Sequence, residues 1–151
     1  MKKIIIVLIL LLLVGCSSLE NKNNKNNNNN RNLNQKEEEK IVMKVKIEDK
    51  EYNASLESNE TVQELLNKLP IELSMKELNG NEKYSYLDYS FKTNEYSPNT
   101  ILKGDIMLYG NNCLVLFYKT FKTNYQYTKI GHIDNMEDLD NKDIVVTFYK
   151  K

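Results

Sequence analysis

Short runs in which apolar and polar residues alternate dominate the chain from residue 41 onward. Met43, Val45 and Ile47 alternate with two lysines, and comparable runs recur as far as residue 149. A period of two sends successive side chains to opposite faces of a β-strand. Asn79-Gly80 and Gly110-Asn111-Asn112 separate pairs of these runs and are typical of hairpin turns. The pattern predicts about eight short strands.

One segment follows the helical period instead. Its apolar residues recur at i, i+3, i+4 and i+7, the spacing that lines one face of an α-helix. These residues are Val62, Leu65, Leu66 and Leu69. Ser58 or Asn59 can cap the start of the helix, and Pro70 stops it. Met136 and Leu139 lie in a shorter segment that predicts one short helical turn.

The predicted elements fit one closed sheet. Many short strands with one clear helix and one short helical turn favour a mainly β fold, an antiparallel sheet closed into a barrel, because closure removes edges that would aggregate. Residues 41–151 number 111, near the usual size of one domain. We therefore expect a single domain over this range, and we expect it to be monomeric.

The N-terminus has the order of a secretory signal peptide. Lys2 and Lys3 precede eleven apolar residues, 4–14, followed by small residues. Eleven helical residues reach about 17 Å, short of the ~30 Å hydrocarbon core of a bilayer. Residues 13–16, Leu-Val-Gly-Cys, resemble a bacterial lipobox, which implies cleavage after residue 15 and lipidation of Cys16. The alternative is an ordinary signal peptide with an incidental cysteine. The lipobox predicts a protein anchored in the cell membrane or envelope and facing outside the cytoplasm.

Residues 16–40 have the amino-acid composition of a flexible tether. Ten of the fourteen residues from 21 to 34 are Asn, and a charged run follows. So few apolar groups cannot offset the loss of chain entropy on folding. We expect this segment to be a disordered connection between Cys16 and the domain.

The charge of the domain excludes one class of partner. Residues 41–151 carry fourteen Lys against seventeen acidic residues and no Arg, because the one Arg of the chain is Arg31. Nucleic-acid binding needs a basic face that displaces counterions from phosphates. We expect no nucleic-acid partner.

The chain has two cysteines, Cys16 and Cys113. If Cys16 carries lipid, Cys113 has no partner for an intramolecular disulfide. Cys113 lies in a strand-like run without a basic neighbour that would lower its pKa. We expect a free, buried and unreactive thiol.

Two stretches carry a resemblance to a known family. They are LNGNEKYSYL, residues 78–87, and SPNTILKGDIMLYGNNCLVLFYKTFKTNYQYTKIGHID, residues 97–134, of which GDIMLYGNNCLVLFY, residues 104–118, is the most specific piece. Together with the last strand they resemble the bacterial cyclophilin-like family of small domains, over essentially all of residues 42–149. The resemblance implies a closed antiparallel eight-stranded barrel with helices at its ends.

Catalysis is not expected, although the resemblance suggests one reaction. Cyclophilins that isomerise X-Pro bonds use an Arg to stabilise the twisted amide, and this domain has no Arg. The lone His132 excludes paired-His metal sites and is expected to be a surface or structural residue. Asp134, Glu137, Asp138 and Asp140 lack the pattern of an EF-hand loop. We predict no catalytic residues, no metal and no cofactor. The alternative is a prolyl isomerase with a non-standard site.

Tyrosine is the best indication of a binding site. Tyr combines a large apolar face with one hydroxyl, which suits a pocket for a peptide or a small ligand. The asparagines of the Gly110-Asn111-Asn112 turn could meet a ligand at the barrel rim. The candidate ligand-binding residues are Tyr84, Tyr86, Tyr109, Asn111, Asn112, Tyr118, Tyr125 and Tyr127. Any one of these rings could instead simply fill the barrel or shield its surface.

Replacing Cys16 with Ser should release the chain from the membrane fraction and abolish incorporation of a labelled fatty acid. Two acyl chains anchor a protein stably, whereas an unlipidated chain has no such anchor. Cell fractionation measures the first effect, and Cys113→Ser is the matched control that should keep wild-type membrane retention. Unchanged retention and labelling of the Cys16→Ser chain would contradict the lipobox prediction.

Overall fold

A computed structural model describes residues 42–151, which contain ten strands and one helix. The strands are β1 (Val42–Ile47), β2 (Lys50–Leu56), β3 (Ile71–Leu78), β4 (Glu82–Tyr86), β5 (Thr100–Ile101), β6 (Asp105–Tyr109), β7 (Cys113–Phe117), β8 (Phe121–Lys122), β9 (Thr128–Ile133) and β10 (Ile144–Lys150), and the helix is α1 (Glu60–Leu66). The expected signal peptide, the lipidation site Cys16 and the tether lie outside the described residues.

Eight of the strands close into a barrel. Their order around it is β1, β10, β3, β4, β7, β6, β9, β2, and every neighbouring pair is antiparallel. The short strands β5 and β8 pair with each other in a separate ribbon. The predicted mainly β fold, a closed eight-stranded antiparallel barrel with one helix, is confirmed.

The barrel interior follows the alternation in the sequence. Met43 and Val45 of β1 point inward and are fully buried, as are Val146 and Phe148 of β10. Helix α1 packs Val62 and Leu65 against the same core. Its N-cap is Asn59, whose side chain accepts a hydrogen bond of 2.8 Å from the Val62 N–H. The predicted helix is therefore present, although it ends at Leu66 and does not include Leu69.

The predicted short helical turn around Met136 and Leu139 is wrong. The chain makes a tight turn at residues 134–135, where Asn135 has a φ of 55°, and it then runs without regular structure to β10. Met136 is still buried and Leu139 still packs on the core. The carbonyl of Asp140 accepts a hydrogen bond from a side chain of the barrel, so this segment satisfies its backbone without helical bonds.

Two of the barrel strands are buried on both faces. The inner face of β6 and β7 belongs to the main core, and their outer face packs against Phe121 of the ribbon and Tyr127. Met107 and Val115 belong to this second cluster. Double burial explains why this hairpin is continuously apolar, since a half-exposed strand would alternate.

A buried ion pair joins the barrel to the segment before β10. Lys83 of β4 points inward and is fully buried, and its Nζ donates to Glu77 Oε2 at 2.5 Å and to the carbonyls of Asp140 and Lys142 at 2.6 and 2.9 Å. The ring of Tyr118 lies 4.4 Å from Nζ, and the Tyr118 hydroxyl donates to Glu77 Oε2 at 2.7 Å. All three ammonium protons therefore have acceptors.

Glu77 responds to two opposing influences. Burial raises its pKa, but hydrogen bonds from Lys83, from Tyr118 and from the N–H of Gly80 outweigh burial and lower the pKa below its usual 4.5. The ionised carboxylate is thus the form that the fold stabilises.

Helix α1 is the only helix within residues 42–151, and it is not long and apolar enough to cross a membrane.

Lys83→Met should lower the free energy of unfolding by about 3–5 kcal/mol, because it leaves the largely buried carboxylate of Glu77 without its counter-ion and two carbonyls without their donor. Urea denaturation of the full chain in maltoside micelles measures this loss. Lys44→Met, which removes the partly exposed pair with Glu51, is the matched control and should cost far less.

The pH dependence of Glu77→Gln checks the same network. Because the folded pKa of Glu77 is lowered, its stabilisation is present above the unfolded pKa, near 4.5, and is lost as the pH falls through the folded value. The stability difference between the wild type and Glu77→Gln should shrink accordingly on acidification. A difference that stays constant would show that the carboxylate contributes nothing as an ion.

Candidate functional site

An open cleft of about 290 Å³ lies on the outer face of the barrel. It crosses β4 and β7 and reaches the end of β6. Five aromatic rings line it, and they are Tyr84, Tyr86, Tyr109, Tyr125 and Tyr127. Five of the eight predicted ligand-binding residues are therefore brought together at one place, although their role in binding stays a prediction.

The register of the strands explains why a cleft forms here. Tyr86 of β4, Cys113 of β7 and Tyr109 of β6 are neighbours in one row across the sheet. Tyr84 and Val115 are neighbours in the next row. In these two rows β7 carries the smaller side chains Cys113 and Val115, while β4 carries two tyrosines and β6 carries Tyr109, so the sheet surface is low in the middle and high at the sides.

Besides β4 and β6, the segment before β9 forms a third side of the cleft. The backbones of Tyr96 and Tyr127 exchange two hydrogen bonds of 3.0 Å each, which hold this segment against the loop before β5. Tyr127 is buried on the second core cluster, whereas Tyr125 stays 63% exposed. The segment therefore places one buried and one exposed ring beside Tyr109.

The rings meet edge to face or at a tilt. Tyr84 and Tyr86 have centroids 5.9 Å apart at 82°, and Tyr109 and Tyr125 have centroids 6.0 Å apart at 86°. Tyr109 and Tyr127 are 5.7 Å apart at 52°. These are favourable geometries for aromatic pairs. In an edge-to-face pair one ring keeps both faces uncovered by its partner, so ring faces remain available to a ligand.

Glu82 is the one carboxylate at the cleft. It lies two residues before Tyr84 on β4 and therefore points to the same face, and it is half-buried. Within the described part of the chain, its carboxylate makes no salt bridge and accepts no side-chain or backbone hydrogen bond. Burial, together with the negative charge of Glu77, raises the pKa of Glu82 above its usual 4.5.

Cys113 forms part of the floor and has the character of a protonated thiol. It is a free and buried cysteine, as predicted. Burial is the main reason that its pKa is raised to about 11, and the charge of Glu82 adds to this, while a hydrogen bond with Tyr86 acts in the opposite direction. A thiol in this state is a poor nucleophile.

Three predicted binding residues lie elsewhere. Tyr118 is fully buried inside the barrel, where it contacts Lys83 and Glu77. Asn111 and Asn112 form the β6–β7 turn, and their carbonyls accept the N–H groups of Phe91 and Leu87. These asparagines therefore hold the chain that leaves β4.

Sequence reasoning missed five residues of the cleft, which are Leu78, Asn79, Glu82, Cys113 and Val115. Glu82 could have been found, because the alternation that pairs Tyr84 with Tyr86 also includes the residue two positions earlier. Leu78 is the last residue of β3 and Asn79 follows it in the turn before β4, so their position depends on how β3 and β4 are paired.

His132 lies on β9, outside the cleft. Its Nδ1 is 2.9 Å from Oδ1 of the buried Asp105, whose other oxygen accepts the N–H of Leu102 at 2.9 Å. Nearby, the backbone of Gly104 lies so close to β9 that a Cβ would meet the carbonyl oxygen of Ile133 at 2.4 Å. Within residues 42–151, no group of three or more His, Cys, Asp or Glu side chains is arranged to hold a metal ion.

The closed barrel with a helix against its core and an aromatic cleft on its outer face defines a small β-barrel domain. The chain belongs to the cyclophilin-like family, whose family model matches residues 45–149. Its fold is similar to the solution structure of a hypothetical protein from Archaeoglobus fulgidus, with a TM-score of 0.50, 17% sequence identity, and coverage of 74% of this chain and 95% of that chain. This likeness shows the fold alone. The comparison with curated proteins finds no match.

Cys113 should react with iodoacetamide about 100-fold more slowly in the folded chain than in urea, at pH values below 9. A rise of the pKa from 9.0 to about 11 lowers the thiolate fraction by that factor. The measurement uses the full chain with Cys16→Ser, so that Cys113 is the one thiol. Equal rates in the folded and unfolded chains would show that the thiol is neither buried nor protonated.

Proposed function

We propose that the protein is anchored by lipid on Cys16 in the cell envelope, and that its cyclophilin-like domain binds a peptide or a small ligand in the tyrosine-lined cleft without catalysing a reaction. The lipobox at residues 13–16 supports the anchor, and a disordered tether over residues 16–40 would leave the domain about 25–30 Å from the membrane on average. The cleft would then face the space outside the cytoplasm.

The binding proposal rests on one observation: exposed apolar side chains are concentrated at the cleft. Seven large apolar residues are exposed in the described part of the chain, and four of them line the cleft. These four are Leu78, Tyr86, Tyr109 and Tyr125. Contiguous exposed apolar surface is unusual on a small domain and marks a place where something binds. A concave site with a few polar groups is also the usual form of a ligand pocket.

The polar groups of the cleft argue against catalysis. Cys113 holds its proton, and Glu82 and Asn79 are the remaining polar side chains apart from the tyrosine hydroxyls. Isomerisation of an X-Pro bond needs a donor that stabilises the twisted amide, and removing such a donor typically costs a factor of about 10²–10³. The domain has no Arg to supply it. Asn79 and the tyrosine hydroxyls are the donors that the alternative, a non-standard isomerase, would have to use.

Binding at the cleft should be visible by NMR titration of the full chain in maltoside micelles. The probes are a neutral proline tetrapeptide and a set of small neutral, anionic and cationic organic compounds. We expect at least one probe to cause saturable shifts of the amides of β4, β7 and residues 123–127. Tyr86→Leu should weaken this binding, because it removes a ring that lines the cleft. The fold should be unaffected, because Tyr86 is 66% exposed and does not belong to the core. Tyr149→Leu, which lies on β10 outside the cleft, should not.

The same preparations decide between the proposal and its alternative. At micromolar concentration the chain should leave the cis-to-trans rate of the tetrapeptide close to its uncatalysed value, in a protease-coupled assay with a known cyclophilin as positive control. A catalysed rate that disappears in Asn79→Ala or Tyr86→Leu would establish the isomerase. Absence of saturable binding by every probe would overturn the binding proposal.

A further inference from the structure

Among the described residues, no lysine makes a cation–π contact with a tyrosine of the cleft. Lys83 lies over Tyr118 at 4.4 Å and Lys68 lies over Tyr89 at 4.8 Å, so cation–π contacts do form in this domain. Among the described residues, no lysine lies over any of the five cleft rings, and no basic side chain lines the cleft. The ring faces there are therefore free of an internal cation.

The carboxylate of Glu82 also has no partner among the described residues. It lies on the same face of β4 as Tyr84 and Tyr86, and it has no salt bridge or hydrogen bond within residues 42–151. A half-buried carboxylate without a partner is unfavourable, since its burial is compensated neither by an opposite charge nor by a donor. When Glu82 is ionised, the domain therefore has one unbalanced negative charge beside a group of aromatic rings.

These features favour one class of ligand charge. The face of an aromatic ring carries partial negative charge and attracts a cation, as in the aromatic sites that recognise quaternary ammonium groups. An anion would be repelled by Glu82 as well as by the ring faces. A neutral ligand would cover Glu82 without balancing its charge. A cation is attracted by both.

The surroundings also favour an alkylated cation over a bare one. The floor is made of Cys113 and Val115, and Leu78 adds an apolar edge. Alkyl groups on the nitrogen gain from contact with this apolar surface, and an alkylated ammonium loses less hydration on entering it than a primary ammonium does.

We infer that the ligand of the cleft carries an alkylated ammonium group, which the tyrosines contact through their ring faces while Glu82 balances its charge. The inference rests on the proposed function, because it names the chemistry of the ligand that the cleft would bind. Such a group can belong to a small free molecule such as choline or to a methylated lysine of a peptide.

The experiment compares ligands of the same shape that differ in charge. Choline is titrated against its neutral isostere, in which carbon replaces the ammonium nitrogen, and N-acetyl-trimethyllysine amide is titrated against its neutral carbon analogue. The full chain is used in maltoside micelles, which contain no ammonium group, and NMR shifts of β4 and β7 report binding. We expect each cation to bind about tenfold more tightly than its isostere. Whichever cation binds more tightly identifies the source of the group, and either order supports the inference.

Two matched pairs of variants test the residues. Glu82→Gln should reduce choline affinity about tenfold, whereas Glu95→Gln, an exposed acid outside the cleft, should leave it unchanged. Tyr125→Leu should weaken binding and Tyr125→Phe should retain it, because Phe keeps the ring face. Tyr125 is largely exposed, so neither replacement disturbs the core.

The pH dependence provides a readout that a structural role would not produce. Glu77 from β3, Cys113 from β7 and the five tyrosines of the cleft are the titratable groups around Glu82. Of these, Glu82 has its pKa raised above 4.5, whereas the pKa of Glu77 is lowered and those of Cys113 and Tyr127 are about 11 and about 12. Choline affinity should therefore decrease as the pH is lowered and Glu82 becomes protonated. In Glu82→Gln it should be independent of pH over the same range.

Equal binding of the cations and their neutral isosteres would overturn the inference while leaving the proposed function intact. The same holds if Glu82→Gln binds choline as tightly as the wild type does. If instead no probe of any charge binds at the cleft, the proposed function itself fails.

Discussion

The alternation of side chains along β4 controls both the stability of the barrel and the chemistry of its outer face. Lys83 points inward, where it is fully buried and joined to β3 and to the segment before β10. Its neighbours Glu82 and Tyr84 point outward and line the cleft. A shift of β4 by one residue relative to β3 and β7 would exchange these roles, placing the tyrosines in the barrel and the lysine in the cleft. The buried ammonium, which needs its three acceptors, therefore holds the register on which the cleft depends.

Two acidic residues close to each other show how partners decide the state of a carboxyl group. Glu77 accepts hydrogen bonds from a lysine, a tyrosine and a backbone N–H, and its pKa is lowered despite burial. Glu82 has none of these partners in the described structure, and burial raises its pKa. The first carboxylate contributes to folding, whereas the second is left unbalanced at a concave surface. This contrast is the physical basis for assigning Glu82 to a ligand rather than to the fold.

The cleft is a consequence of side-chain size as well as of topology. The outer face of β6 and β7 is covered by Phe121 and Tyr127 over part of its length only. Beyond that cover, the middle strand carries Cys113 and Val115 while the flanking strands carry tyrosines, so a depression forms. The cyclophilin-like barrel thus provides the sheet, and the binding specificity that we propose would depend on the residues on its outer face. Fold and function are separable in this way in many small domains.

The sequence by itself determined most of the strands and the helix, because alternation and helical spacing are local patterns. The closed eight-stranded barrel was predicted from the need to remove sheet edges and from the family resemblance, not from periodicity. The sequence also indicated the tyrosines as a group and Cys113 as a buried thiol. Only the tertiary structure decided which tyrosines share a surface: Tyr118 entered the barrel, Asn111 and Asn112 were used in a turn, and residues 134–140 formed no helical turn. Glu82 acquired its importance in the same way. Each of these outcomes depends on strand pairing and on contacts between residues distant in the chain, and local periodicity contains no information about which distant residues will meet.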